Sequence, residues 1–426
     1  MREVSLIAAA ATTVRAIGDR HPSHSGCGLP AYGKPVLTLW VTIGPALLLT
    51  LALLVAFGPI ATDLYLPGLP AMADALGADA SGVQLTLTTF LAGLAFGQLV
   101  MGPISDRFGR RKPLLVSAAV CVLAGIVAAT APTLPVLIAA RLVQGFAGAG
   151  GLVIGRAVIA DLVTGRAAAR ALTLMMTVGG VAPVLAPLIG GVLADPVGWR
   201  GMLWTVTGLC AAMLLAVLLV LPETHTSRGR GPGGYRIVLR SAGFWADTAV
   251  FASSFAMMMA YISASPFVYQ RVVGLSEIAY GVSFGLNACG LIAAGAIASR
   301  LVERVEPRRI VAGALTLEVA ATASLLALVL AGAPAWTYPI PIFFAVSANG
   351  GVAGPSAALA MGRVPEVAGT GSALLGFSQF ALGALVSPLV GLGGEDSALV
   401  PAVVMLVAAL AAVAASALNR PVAVRT

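Results

Sequence analysis

Ten stretches of this chain run for 22 residues or more without an Asp, Glu, Lys or Arg: 35–62, 80–105, 113–140, 171–194, 201–222, 248–270, 278–299, 319–362, 367–394 and 397–419. A helix crosses the hydrocarbon core of a bilayer with about 20 apolar residues, so each stretch is long enough to span. Crossing the single charges Asp63, Arg141 and Glu318 extends the first, third and eighth stretches. TAPTLP then divides 113–155, and AGAPAW divides 310–362, because proline- and glycine-bearing turns interrupt helices. The total is twelve spans. With 59% apolar residues and a mean hydropathy of +0.97, a soluble protein of 426 residues has too little core to hide such a surface. Helices are expected rather than a β-barrel, since the apolar runs are continuous and not alternating. The 50 glycines suit close helix approach in lipid. The fold class expected is an all-α membrane protein of twelve transmembrane helices in two pseudo-symmetric six-helix halves.

Orientation follows from the basic residues in the short connections. With the N-terminus cytoplasmic, the inner segments hold 22 of the 25 Lys and Arg, the outer loops hold only Arg200 and Arg271, and Arg141 stays within a span. The outer loops carry acids instead: Asp74, Asp79, Asp195, Glu277, Glu395 and Asp396. Both termini are expected inside. Two lysines against 23 arginines, with abundant Ala and Gly, suggest a bacterial chain and hence the cytoplasmic (inner) membrane. Residues 1–34 have mixed polarity and one short apolar piece, and read as a cytoplasmic tail. Residues 35–221 form one six-helix half, 222–242 a Gly-rich basic linker, 243–419 the second half, and 420–426 a short tail. GAIASRLVERVEPRR (295–309) follows span eight as GPISDRFGRR (102–111) follows span two, which reads as an imperfect internal repeat.

Several functions are excluded at this stage. Cys27, Cys121, Cys210 and Cys289 lie far apart in the chain and mark neither a metal site nor a disulfide framework. The net charge of +8 is dealt out between spans rather than gathered on one face, so nucleic acid is not a partner. No Gly-Lys-Ser/Thr phosphate loop occurs, so ATP is not the energy source. No cofactor is expected, and the chain is not an enzyme.

The charges inside or beside spans are then the candidates for function. Asp63 is a lone acid in span one, costing roughly 2.5 to 3.5 kcal/mol at a helix centre, and Pro59, Pro67 and Pro70 loosen its helix. Arg141 in span four lies at a matching depth and is its natural partner, with Gln144 one turn on along the same face. In the turn after span two, Arg107, Arg110 and Arg111 satisfy the positive-inside rule, but Asp106 is not needed for it. An acid among arginines at a helix end can make charge-assisted bonds to a neighbouring helix end, with Gly102 and Gly109 permitting close approach and a tight turn. Glu318 is expected to be protonated or locally paired. Tyr65, Tyr261 and the Met257–Met259 run could line a cavity that adapts to varied apolar shapes, or pack as ordinary core.

GPISDRFGRR resembles motif A of the major facilitator superfamily. DLYLPGLPAMA (63–73), RLVQGFAGAGGLVIGRAVIADL (141–162), APVLAPLIGG (182–191) and YISASPFVYQ (261–270) resemble the Bcr/CflA drug-resistance branch of its drug:proton antiporters. The resemblance implies that Gly102, Asp106, Arg107, Gly109, Arg110 and Arg111 form a conformational latch and that Asp63 and Arg141 couple protons. It further implies that Pro183, Pro187, Gly190 and Gly191 belong to the span-five antiporter motif. Tyr65, Gln144 and Tyr261 are the candidates for a substrate cavity, with ordinary helix packing as the alternative. That motif commonly has Gly before its first proline, where this chain has Ala182. The function implied is export of small amphipathic compounds in exchange for protons by a monomer in the bilayer. A proton-coupled metabolite symporter of the same fold is the alternative, and a membrane receptor or channel the alternative from another class.

Overall fold

The computed structural model describes residues 44–163, 165–224 and 235–418. The tails 1–34 and 420–426, the start of span one and the linker residues 225–234 lie outside the described residues. Helix α1 (Pro45–Asp63) stops at Asp63 and resumes, through a 3₁₀ turn at Leu66–Gly68, as a short helix Leu69–Leu76. Pro67 and Pro70 explain the break, since neither has an N–H to donate. Gly77, with φ +60°, ends the short helix in the left-handed region. Asp79 then caps α2 (Ala80–Phe108), its carboxylate accepting from Gly82 N at 2.8 Å. Helices α3 (Arg111–Ala129) and α4 (Leu134–Leu162) follow.

Residues 165–220 form two helices that meet at a sharp kink. Fifty-six residues at 1.5 Å each make about 84 Å, far more than one bilayer crossing. Gly198, at φ +63°, divides them into α5 (165–197) and α6 (199–220), so eleven long apolar helices are twelve crossings. The second half comprises α7 (Ala242–Phe267), which runs into a π turn at Val268–Val272, then α8 (Glu277–Leu301), α9 (Pro307–Leu330) and α10 (Pro339–Met361). It ends with α11 (Ala368–Val386), a 3₁₀ turn Ser387–Gly393, and α12 (Leu399–Ala417). No strand occurs among the described residues. Within the linker, Tyr235–Arg240 is a short helix whose Val238 packs under Phe244, Val364 and Leu374.

Glycines set the closest crossings, and they do so alike in the two halves. A Cβ at Gly93 or Gly97 of α2 would strike the α4 backbone, and one at Gly145 would strike the carbonyl of Phe90. In the second half, Gly290 of α8 lies against Ser347, and Gly350 of α10 against the carbonyl of Leu291. The pairs α2–α4 and α8–α10 are therefore the same joint, which gives the internal repeat a physical basis.

The halves meet through α2 with α11 and α5 with α8. Among the described residues, four hydrogen bonds join them at the acidic end, where the α1–α2 loop sits. Ser81 Oγ donates to Pro388 O at 3.2 Å, Gln84 Nε2 to Ser263 O at 3.1 Å, Gln270 Nε2 to Pro67 O at 3.0 Å and Arg271 Nη2 to Asp74 Oδ2 at 2.7 Å. At the opposite, basic end Arg110 pairs with Asp161, and Arg363 and Arg308 pair with Asp247. The acidic end is shut.

Candidate functional site

Asp63 lies at the break in α1 and is 3% exposed. Thr62 Oγ1 donates to its Oδ1 at 2.8 Å, and the carboxylate is close enough to the hydroxyls of Tyr261 and Tyr280, in the second half, to act on them electrostatically. Arg141 is fully buried, but it makes no ion pair with Asp63. Its Nη2 donates to the main-chain oxygen of Ala61 at 2.7 Å and its Nη1 to Gln144 Oε1 at 2.7 Å. The guanidinium lies over the rings of Phe90 and Tyr65, 4.2 and 4.7 Å from their centroids. The expected ion pair is thus corrected to a bond two residues away. A helix ending at prolines leaves carbonyls without donors, and Arg141 satisfies one of them while two aromatic faces shelter its charge.

Tyr65 and Gln144, the cavity candidates of the first half, are both committed to Arg141. The Tyr65 ring lies under it, with its hydroxyl 3.2 Å from Thr86 Oγ1, while Gln144 accepts from Arg141 and turns its amide towards Cys210 Sγ. Cys121 of α3 donates to the Gln144 carbonyl at 3.5 Å, so two cysteines 89 positions apart in the chain meet at one glutamine. Nothing in their spacing signals this. Tyr261 stacks on Phe284 and accepts from Asn287 Nδ2 at 2.9 Å, and Asn287 also reaches Tyr269. It borders a small apolar cleft with Leu325, Ile342 and Met405.

The turn after α2 gathers charge within the first half. Arg110 is 7% exposed and donates from Nε to Asp161 Oδ2 at 2.9 Å and from Nη1 to Ser105 Oγ and Asp106 Oδ1. Burial pulls the Arg110 guanidinium down, and the bonds and charges of Asp161 and Asp106 push it above its ordinary value. Glu223, after α6, accepts from the main-chain N–H groups of Arg110 and Arg111, and Arg111 Nη2 donates to Leu218 O. Gly109 has φ +86°, and a Cβ there would meet the Glu223 carboxylate. The close approach expected at Gly102 is absent here: its nearest neighbour is Val153, 3.9 Å from a built Cβ. Arg107 is exposed beside Phe108.

The stretch 182–191 touches two other elements. Pro183 and Pro187 lie inside α5. Gly190 packs against the carbonyl of Leu64, one residue past Asp63, while Gly191 packs against the carbonyl of Glu277 at the start of α8. Gly281 in turn lies against the carbonyl of Pro187. Adjacent glycines therefore serve two contacts, one within the half and one across it. Glu318 is fully buried, accepts from Ser254 Oγ at 2.7 Å, and Asn349 donates to that same serine at 2.8 Å. It is locally bonded within the second half, as its sequence position suggested.

The family model of the Major Facilitator Superfamily matches residues 51–388. The chain is 35% identical to an uncharacterized transporter of that superfamily from Bacillus subtilis, over 86% of this chain and 93% of the relative. It is 32% identical to the bicyclomycin resistance protein homolog of Haemophilus influenzae, over 82% of this chain and 90% of that protein. The chain belongs to the Major Facilitator Superfamily, in its Bcr/CflA drug-resistance branch. Among solved structures, a bacterial homolog of the human lysosomal transporter Spinster overlays with a TM-score of 0.67 at 16% identity, covering 92% of this chain and 98% of that one. As a superfamily member the chain is a multi-pass membrane transporter of small molecules and not an enzyme.

Proposed function

We propose that this transporter exports small amphipathic compounds in exchange for protons, by alternating access between the two six-helix halves. The observation that carries the reading is Asp63: a carboxyl buried at a helix break, bonded to one hydroxyl and within electrostatic reach of Tyr261 and Tyr280 of the other half. A group so placed meets both halves where they part, and in a lipid-embedded span its neutral and charged forms differ greatly in cost. Asp63 takes a proton from the outer side and displaces the substrate, and inward release restores the carboxylate. Arg141 holds the α1 break in shape through Ala61 rather than serving as counter-ion. The resistance named for the Haemophilus influenzae relative supports drug-like compounds as the substrate class.

In the same reading the basic end is cytoplasmic, both termini lie inside, the membrane is the bacterial inner membrane and the unit is a monomer. Asp106 and its arginines latch the basic end when the acidic end opens. With the acidic end shut, their bonds fall back within the first half.

The test uses purified protein with a bound bicyclic or aromatic antibiotic as probe. Substrate binding releases protons from the wild type and not from Asp63→Asn. Proton entry coupled to substrate exit in vesicles supports antiport, whereas movement of both in one direction makes the protein a symporter and sinks the proposal.

A further inference from the structure

Three charged side chains stand on α4: Arg141, Arg156 and Asp161. Arg141 is engaged by Ala61 and Gln144, and Asp161 by Arg110. Arg156 is not engaged. Its Nε is buried without a partner, and among the described residues it has neither a hydrogen bond nor an ion pair. Arg111 and Arg141 also leave Nε unbonded, but their Nη groups donate to Leu218, Ala61 and Gln144. An arginine carried into a spanning helix is costly, and one left without an acceptor forgoes the bonds that would offset the cost.

The place of Arg156 says what supplies the acceptor. It lies about 9 Å inside the basic end of α4, counting the rise of each residue to Leu162. On the helix surface it stands between Gly155, whose built Cβ would lie 4.0 Å from Leu51 of α1, and Val153, which lies 3.9 Å from a Cβ built at Gly102 of α2. Arg156 and Leu152, one turn back, are both only partly buried there. On α2, one turn from Gly102 towards the acidic end, Gln98 is 3% exposed and its Nε2 is likewise buried without a partner. Two donors on neighbouring helix faces, roughly 10 Å apart along the helices, thus lack acceptors. An arginine that only snorkelled would turn its head to the lipid interface, not to the side shared by α1 and α2.

We infer that Arg156 is the docking point for an anionic group, a carboxylate by preference, on an amphipathic substrate that enters from the basic end. A guanidinium presents a planar fork of donors, which a carboxylate meets with two parallel bonds. Gln98 then takes a neutral acceptor further along the same molecule. With the acidic end held shut by four bonds between the halves, a ligand approaches this face from the basic side, where an exporter loads. The inference rests on the export reading and deepens it by naming a charge on the cargo. Its test uses neither a proton gradient nor Asp63.

The experiment titrates the full chain in phosphatidylcholine nanodiscs by calorimetry with nalidixate, a bicyclic aromatic carboxylate, and with its neutral ethyl ester, at about pH 8 where the carboxyl is ionised. Wild type binds the acid about tenfold or more tightly than the ester, the scale of one charge-assisted hydrogen bond. Arg156→Gln loses that preference, binds the ester as wild type does, and melts no lower than wild type, because no bond within the fold is lost. Equal binding of acid and ester by wild type, binding of neither, or equal weakening of both in Arg156→Gln overturns the inference. Phosphatidylglycerol added to the nanodiscs separates cargo from lipid. If it removes the wild-type preference and leaves Arg156→Gln unchanged, the occupant is a lipid phosphate and the cargo site is overturned. Each of these results leaves the antiport reading standing, since proton release at Asp63 is a different signal and is read with the neutral ester.

Discussion

Arg141 donates to the main-chain oxygen of Ala61 at 2.7 Å, and the carboxylate of Asp63, two residues on, is left to Thr62. The cation shapes the helix that presents the acid without neutralising it. Arg141→Ala should therefore abolish transport at every pH rather than move its pH optimum. Two charge-assisted hydrogen bonds are lost, each worth about 1.5–3 kcal/mol, together with the stack on Tyr65 and Phe90. Arg141→Lys should fail to rescue, because an ammonium lacks the planar fork that reaches Ala61 and Gln144 together. A pH optimum that merely shifts in Arg141→Ala, with melting temperature unchanged, would restore the ion-pair reading.

Asp63→Asn should eliminate drug export driven by a pH gradient while leaving downhill exchange of an uncharged substrate, and Asp63→Glu should keep part of the coupling. Counting protons released per substrate bound checks this. Full release from Asp63→Asn would move the carrier elsewhere, with Glu318 next in line.

Asp106 and Arg110 separate latch from scaffold. Asp106 is 51% exposed at its side chain, so Asp106→Asn should cost less than about 1 kcal/mol of stability while strongly lowering transport. Arg110→Ala removes the donor that joins Ser105, Asp106 and Asp161, and should cost about 3 kcal/mol or more. Thermal unfolding and uptake assays on both variants distinguish the roles. Normal transport by well-folded Asp106→Asn would reduce the residue to topology.

Gly190 and Gly191 are neighbours with different duties. Gly190→Ala should lower the melting temperature, since its methyl meets Leu64 within the half, at about 1–3 kcal/mol of overpacking. Gly191→Ala meets Glu277 across the halves and should spare the fold but hold the acidic end apart. Labelling rates of a cysteine at that end, compared between the two variants, decide the matter; equal rates would mean that Gly191 is ordinary packing.

Gly109→Ala should destabilise the basic-end turn by about 1–2 kcal/mol, because φ +86° disfavours any Cβ and Glu223 occupies the space. Pairing it with Glu223→Ala should recover little, since the N–H groups of Arg110 and Arg111 would then lose their acceptor.

The charge-free intervals determined the twelve spans, because lipid obliges every backbone group to bond within its own helix and only uninterrupted apolar runs meet that demand. The two helices that meet at Gly198 are likewise separated in the sequence by Asp195 and Arg200. The residues that carry charge into spans were legible for the same reason, since each stands alone in an apolar field. Their partners were not. Matching depths brought Asp63 and Arg141 to one level, but rotation about the helix axes and the proline break decided that Arg141 faces Ala61. The break also carries the first span on to Leu76, well beyond the charge-free stretch that ends at residue 62. The meeting of Cys121 and Cys210 at Gln144, and of Asp74 with Arg271 across the halves, joins positions far apart in the chain. Such contacts depend on how helices are packed, not on local pattern, and only the tertiary structure decides them.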